Sequence, residues 1–192
     1  MSEKLLQKVA DNYQTAVILH SELSSVMLFI GLTGYHLLHE YHTIAELAEL
    51  RRVKKYIVET FGAYTSDQIP ESANLAAPLI GGKNRRKLTQ DETVQILKDG
   101  FEAYVSWEQK TLRLYSGVAR ELLDAPDVAS FNFVSRIIDD VKKELDHVIN
   151  MVVQLESHDW DMSQIVAEQF ELCEEYRERL NRLRIGDLLC EK

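Results

Sequence analysis

Residues that break helices are scarce in this 192-residue chain, which has eight glycines and three prolines. That is roughly half the ordinary share of about 12%. It excludes the all-β folds, whose turns need such residues every few positions. The prolines fall only at 70, 78 and 126, so long stretches are free to run as uninterrupted helix. Cysteine is almost missing: Cys173 and Cys190 are the two, and with no signal-peptide pattern they read as reduced thiols in a cytoplasmic protein. No apolar run approaches a membrane span, since the best, from Val26 to Leu32, is about a third of the length required. Positive charge is short as well. With 22 Lys and Arg against 31 Asp and Glu, the net charge is −9, which argues against a nucleic-acid or membrane-surface partner.

What is present fits one globular domain. Hydrophobic residues make up 45% and charged residues 28%, and a chain of this size buries a sizeable core without staples. Two basic clusters run against the acidic trend: Arg51, Arg52, Lys54, Lys55, then Lys83, Arg85, Arg86, Lys87. They are expected to be a solvated helix face and a solvated loop.

The helix breakers are unevenly spent. Gly62, Pro70, Pro78, Gly81 and Gly82 mark one long connection, from about 62 to 89, with a short helical turn expected within 74–80. The connection ends in Thr89-Gln-Asp-Glu92, the spacing of a capping box. Further breaks at 124–127 and 157–161, and a corner at 31–35, leave five helices: 3–31, 36–61, 90–123, 128–156 and 162–184. The third carries Leu97, Phe101, Tyr104, Glu108, Thr111, Tyr115, Val118 and Leu122 at alternating steps of four and three. The fourth carries Val134, Ile138, Val141, Leu145, Val148, Val152 and Leu155 in the same rhythm. Such stripes are the seams of an all-α antiparallel four-helix bundle with shallow crossings. The first helix is apolar around most of its girth and is expected to be buried on more than one side. The fifth shows Val166, Phe170, Cys173 and Leu180 on one face. It reads as an accessory helix, giving a bundle over 1–158 and an accessory helix and tail over 159–192.

Carboxylates on apolar seams carry the functional information, because an unpartnered buried charge is costly. Glu108 sits on the third helix's seam, and Glu22 falls in the stripe Leu19, Glu22, Val26, Phe29 of the first. Glu46 and Glu49 extend the second helix's seam, and Glu144 with His147 forms a Glu-x-x-His pair on one face of the fourth. Five carboxylates and an imidazole suit iron or manganese, hard ions that need several anionic oxygens. His39 and His42 continue the Glu46/Glu49 face; the four could form a metal stripe, but the two histidines are expected at a solvated helix end. No Gly-rich phosphate loop, zinc-spaced Cys/His set or Ser-centred elbow is present.

One glutamate from each of two helices and a paired motif from each of the other two resembles the dinuclear carboxylate arrangement of the ferritin-like superfamily, including its Dps branch. The resemblance covers residues 1 to about 156 in helix order and in the long second-to-third connection. It implies a metal site, most directly for iron, built from Glu22, Glu46, Glu49, Glu108, Glu144 and His147. The sequence departs from the family at Glu49, where that pattern has histidine. If Tyr35-His36-Leu37-Leu38-His39 is aligned with the Dps aromatic turn, the intersubunit ligand positions fall on Met27, Lys54 and Val58. None of these replaces the usual ligands.

Two readings follow. One is an iron-handling protein that binds metal at these carboxylates and oxidises Fe(II). The other is a non-enzymatic scaffold of the same architecture that has lost the ions and acts through assembly or partner binding. Under either, a homo-oligomer is expected, because the first helix is too apolar for a single bundle face.

Overall fold

The computed structural model of the chain describes residues 1–64 and 76–183. Its helices are α1 (Ser2–Ile30), α2 (Thr33–Phe61), α3 (Ala76–Ile80), α4 (Gln90–Asp124), α5 (Val128–Ser157) and α6 (Met162–Arg182). The four long bundle helices match the expected ranges closely, and α3 is the short turn expected within the connection. Pro70, Asn74 and Cys190 lie outside the described residues. None of the described helices is long and apolar enough to cross a membrane.

The breaks supply the caps. α1 ends on Gly31 with φ 84°, the left-handed conformation that glycine adopts without a Cβ penalty. α4 begins with the capping box, Thr89 and Glu92 each receiving the other's backbone N–H. The Asp127 side chain accepts from Ser130 N, and that of Asp161 from Ser163 N and Gln164 N, so the two later breaks start helices as well as ending them.

Pairing across the bundle fixes its topology. His20 meets His39 and Ser24 meets His36, so α2 folds back antiparallel along α1. Asn12 reaches Thr111 and Tyr115, placing α4 on another side of α1. α5 returns along α4. One apolar cluster collects Leu23, Met27, Leu38, Leu97, Val148 and Leu155. A second collects Leu6, Val9, Val53, Tyr115, Val134 and Ile137. α2 ends in the second cluster and α4 begins in the first, so Phe61 and Gln90 stand at opposite ends of the bundle. This placement of the two helix ends is that of the ferritin-like topology, with its long second-to-third connection. Every residue of the predicted α4 seam is buried. On α5 the predicted seam is buried at Val134, Ile138, Val141, Val148 and Leu155, with Leu145 and Val152 partly so.

Two expectations change. α2 starts three residues before the expected 36, which brings Gly34 into the helix. The inward face of α6 is Ile165, Leu172 and Tyr176, and Phe170 is 64% exposed. Both α6 stripes satisfy a three-four spacing. The choice is made by the close crossing of α6 over α2, where a Cβ on Gly34 would stand 2.1 Å from the Gln169 carbonyl oxygen. α6 is therefore part of the first cluster, contributing Ile165, Leu172 and Tyr176 to it.

This contact yields a paired prediction. Gly34→Ala is expected to cost about 1–3 kcal/mol, because backbone has to yield. Gly117→Ala, on α4 with nothing within 4 Å of the new methyl, should gain roughly 0.5–1 kcal/mol from helix propensity. Thermal unfolding of the two variants checks the opposite signs, and equal stabilities would contradict the close crossing.

Candidate metal centre

The two apolar clusters do not merge. Between them lies a polar layer contributed by α1, α2, α4 and α5, and its side chains fall into two neighbouring groups.

The first group is imidazole-rich. His20 is fully buried on α1, and His39 and His42 are buried on α2 at 2% and 8% exposure. His39 and His42 thus face the core and not a solvated helix end, because α1 runs alongside that part of α2. His20 Nδ1 and His39 Nδ1 are 3.1 Å apart. The His20 and His42 rings stack with centroids 5.1 Å apart. His42 Nδ1 donates to Glu144 Oε1 at 2.9 Å, and the Tyr104 hydroxyl donates to the same oxygen at 2.7 Å. The Tyr104 and His20 rings meet edge-to-face with centroids 4.9 Å apart. Ligand atoms of His20, His42 and Glu144 lie within 4.8 Å of one another.

The second group is carboxylate-rich. Glu46, Glu49, Glu108 and Glu144 line one cavity of about 200 Å³ together with Asp140, Asn12, Thr111 and Tyr115. Asn12 Nδ2 donates to Thr111 Oγ1 at 3.0 Å and to Tyr115 at 3.2 Å, tying down one side of the cavity. Glu49 is held by Arg52 at 2.7 Å on its own helix. Glu46 Oε2 is buried and has no hydrogen-bond partner.

Burial and crowding set the protonation states. Burial, then the charges of Glu144, Glu108 and Glu49, hold the Glu46 carboxyl well above the ordinary range. Burial and then Glu144 push Glu108 up. Burial raises Glu49 too, against the pull of Arg52. Glu144 behaves in the opposite way. Its burial alone would raise it, but the charge and hydrogen bond of His42, aided by His20 and Tyr104, carry it down to about 2. Burial, then His42, lowers His20 to about 3, and burial followed by the neighbouring histidines lowers His39. At neutral pH His20 and His39 are thus neutral imidazoles beside an ionised Glu144, which is the state in which such groups bind metals.

Four of the six residues expected as ligands therefore meet: Glu46, Glu49, Glu108 and Glu144. The structure takes the other two elsewhere. Glu22 is half-buried and accepts from the Ala76 backbone N–H at 3.3 Å, anchoring α3. His147 is exposed, and its Nε2 lies 3.3 Å from the Tyr176 hydroxyl of α6. His20 and His42 are brought to the centre in their place. The signal for His20 was present, since it shares the stripe Ala16, Leu23, Met27, all buried. On a helix apolar nearly all round, that stripe and the one through Glu22 look equivalent.

No protein-family model matches the sequence, and no curated protein matches it. Solved structures do. A humanized archaeal ferritin superposes with a TM-score of 0.72 at 17% identity, covering 89% of this chain and 94% of that one. An open-pore ferritin from the hyperthermophilic archaeon Archaeoglobus fulgidus gives 0.69 at 16%, covering 90% and 98%. An iron-soaked variant of the ferritin PmFTN gives 0.71 at 10%, covering 88% and 96%. The chain has the ferritin-like four-helix-bundle fold, with its polar layer at mid-bundle.

Proposed function

We propose that the protein is a ferritin-like iron-binding protein that takes Fe(II) as cargo into the carboxylate cavity and supports its oxidation by oxygen or peroxide. The observation that carries this reading is Glu46 Oε2, buried without a partner beside Glu108 and Glu144 around a cavity of about 200 Å³. Carboxylates crowded into the middle of a bundle repel one another unless a cation or a proton joins them. Glu46, Glu108 and Glu144 would hold the ion. Glu49, partly engaged by Arg52, and Asp140, exposed beside the cavity, draw cations towards it. Anionic oxygens favour ferric over ferrous iron, which is the chemistry such a donor set supplies. Assembly into a homo-oligomer belongs to the same reading and is supported by the exposed Leu28, Val153 and Phe170.

Anaerobic Fe(II) loading followed by metal analysis tests the proposal. Stoichiometric uptake is expected, falling to background in Glu108→Ala while the helical circular dichroism persists. Absence of uptake by the wild-type chain would leave the alternative, a metal-free scaffold acting through assembly. One observation favours that alternative: α1 brings Asn12, Tyr13 and Ala16 to the cavity and no carboxylate.

A further inference from the structure

We infer that His20, His42 and Glu144 form a distinct, nitrogen-rich metal site beside the carboxylate cavity, with His39 positioning His20. The three residues come from α1, α2 and α5, and their ligand atoms already lie within 4.8 Å of one another. The site does not depend on iron entering the cavity, although Glu144 borders both.

His20 is the decisive residue. Its Nε2 is completely enclosed and has no hydrogen-bond partner, while its Nδ1 faces His39 Nδ1 at 3.1 Å. Only one of those two Nδ1 atoms can carry the hydrogen between them. If His39 supplied it, His20 would bury an N–H with no acceptor, the rarest kind of unsatisfied group in a protein interior. If His20 supplies it, its enclosed Nε2 keeps a free lone pair for a cation. That is the usual arrangement of a metal-binding imidazole, whose second nitrogen donates to an orienting neighbour.

Hydrogen bonds already hold His42 and Glu144 in place. His42 Nδ1 donates to Glu144 Oε1 at 2.9 Å, and Tyr104 steadies the same carboxylate. A cation on Nδ1 leaves the hydrogen on Nε2, which faces the Tyr104 hydroxyl oxygen at 3.4 Å. No proton is stranded. Two imidazoles and one carboxylate suit a divalent ion of borderline softness, the class of Fe(II), Co(II) and Zn(II), over Mg(II), Ca(II) or Mn(II).

Co(II) is the probe, added to the full chain without iron. X-ray absorption and visible spectra are expected to show two imidazole ligands in the wild type. His20→Ala and His42→Ala should each weaken Co(II) about 100-fold or more, while Glu22→Gln, at the α3 anchor outside the centre, changes it only a few-fold. His39→Leu should weaken it about 10- to 100-fold. His39→Gln, whose amide oxygen can accept from His20, should restore most of the loss, which a purely structural role would not predict. Co(II) bound through oxygen alone, or binding indifferent to His20→Ala, would overturn the inference. Should His20→Ala lose its helical signal, the wild-type imidazole count decides. Two-imidazole Co(II) binding without iron uptake would sustain this site and defeat only the iron proposal.

Discussion

Glu144→Ala is expected to be the most damaging single change in the polar layer, removing metal binding and roughly 3 kcal/mol of stability together. Glu144 is the one carboxylate shared by the imidazole group and the cavity. It accepts from His42 and from Tyr104 through the same oxygen. Truncation leaves both donors facing a gap lined by buried side chains, and removing one partner of such a network costs more than the network contributed as a whole. For a chain of this length the loss corresponds to about 6–12 °C in melting temperature. Glu144→Gln separates the two effects. Its amide oxygen still accepts from Tyr104 and His42, so it should recover most of the stability while metal binding stays poor. Equal melting temperatures for Glu144→Ala and the wild type would show that the network does not hold the layer together.

The fold was legible because its signals are redundant. The capping box at Thr89, the aspartates that begin α5 and α6, and the clustering of Gly and Pro between 62 and 82 each mark boundaries independently of hydrophobic period. The α4 stripe also placed Glu108 in the core, since only one face of that helix is apolar. The site was half legible for the converse reason. α1 has two apolar stripes one residue apart, so Glu22 and His20 compete for the inward position and composition cannot choose. On α5, Glu144 and His147 share a helical face, yet three residues turn the side chain far enough that His147 meets α6 instead. α6 itself offers Val166/Phe170/Cys173 and Ile165/Leu172/Tyr176 at equivalent spacing, and the choice rests on the approach of Gln169 to Gly34. Each miss is a rotation of one helix by a fraction of a turn, a quantity fixed by neighbours and not by local sequence.

Glu46→Gln should move stability the other way, stabilising the metal-free protein by on the order of 1–3 kcal/mol at pH 8 while abolishing iron uptake. The sign follows from linkage. Glu46, Glu108 and Glu49 have folded-state values raised above the ordinary 4.5, by burial first and by neighbouring charges next. Their contribution is complete below about pH 4.5 and is lost as pH rises through the folded-state values. His20 and His39 work in the opposite window. Their values are depressed below 6.5 by burial, so stability falls as pH drops below about 6.5, because the unfolded chain takes up protons that the buried neutral rings exclude. Glu144, lowered to about 2, adds a loss only below about pH 4.5. The metal-free protein should therefore be most stable between about pH 5 and 7, with an alkaline limb due to the crowded glutamates. Glutamine at 46 fixes the neutral state, so the gain over wild type should be near zero at pH 4 and grow steadily to pH 8. Fe(II), replacing the proton among the same oxygens, should flatten the wild-type limb and leave the variant's profile unchanged. Denaturant titrations at pH 4, 6 and 8, with and without the ion, read the whole pattern. A gain independent of pH would mean that the carboxylate at 46 is not the group whose ionisation opposes folding.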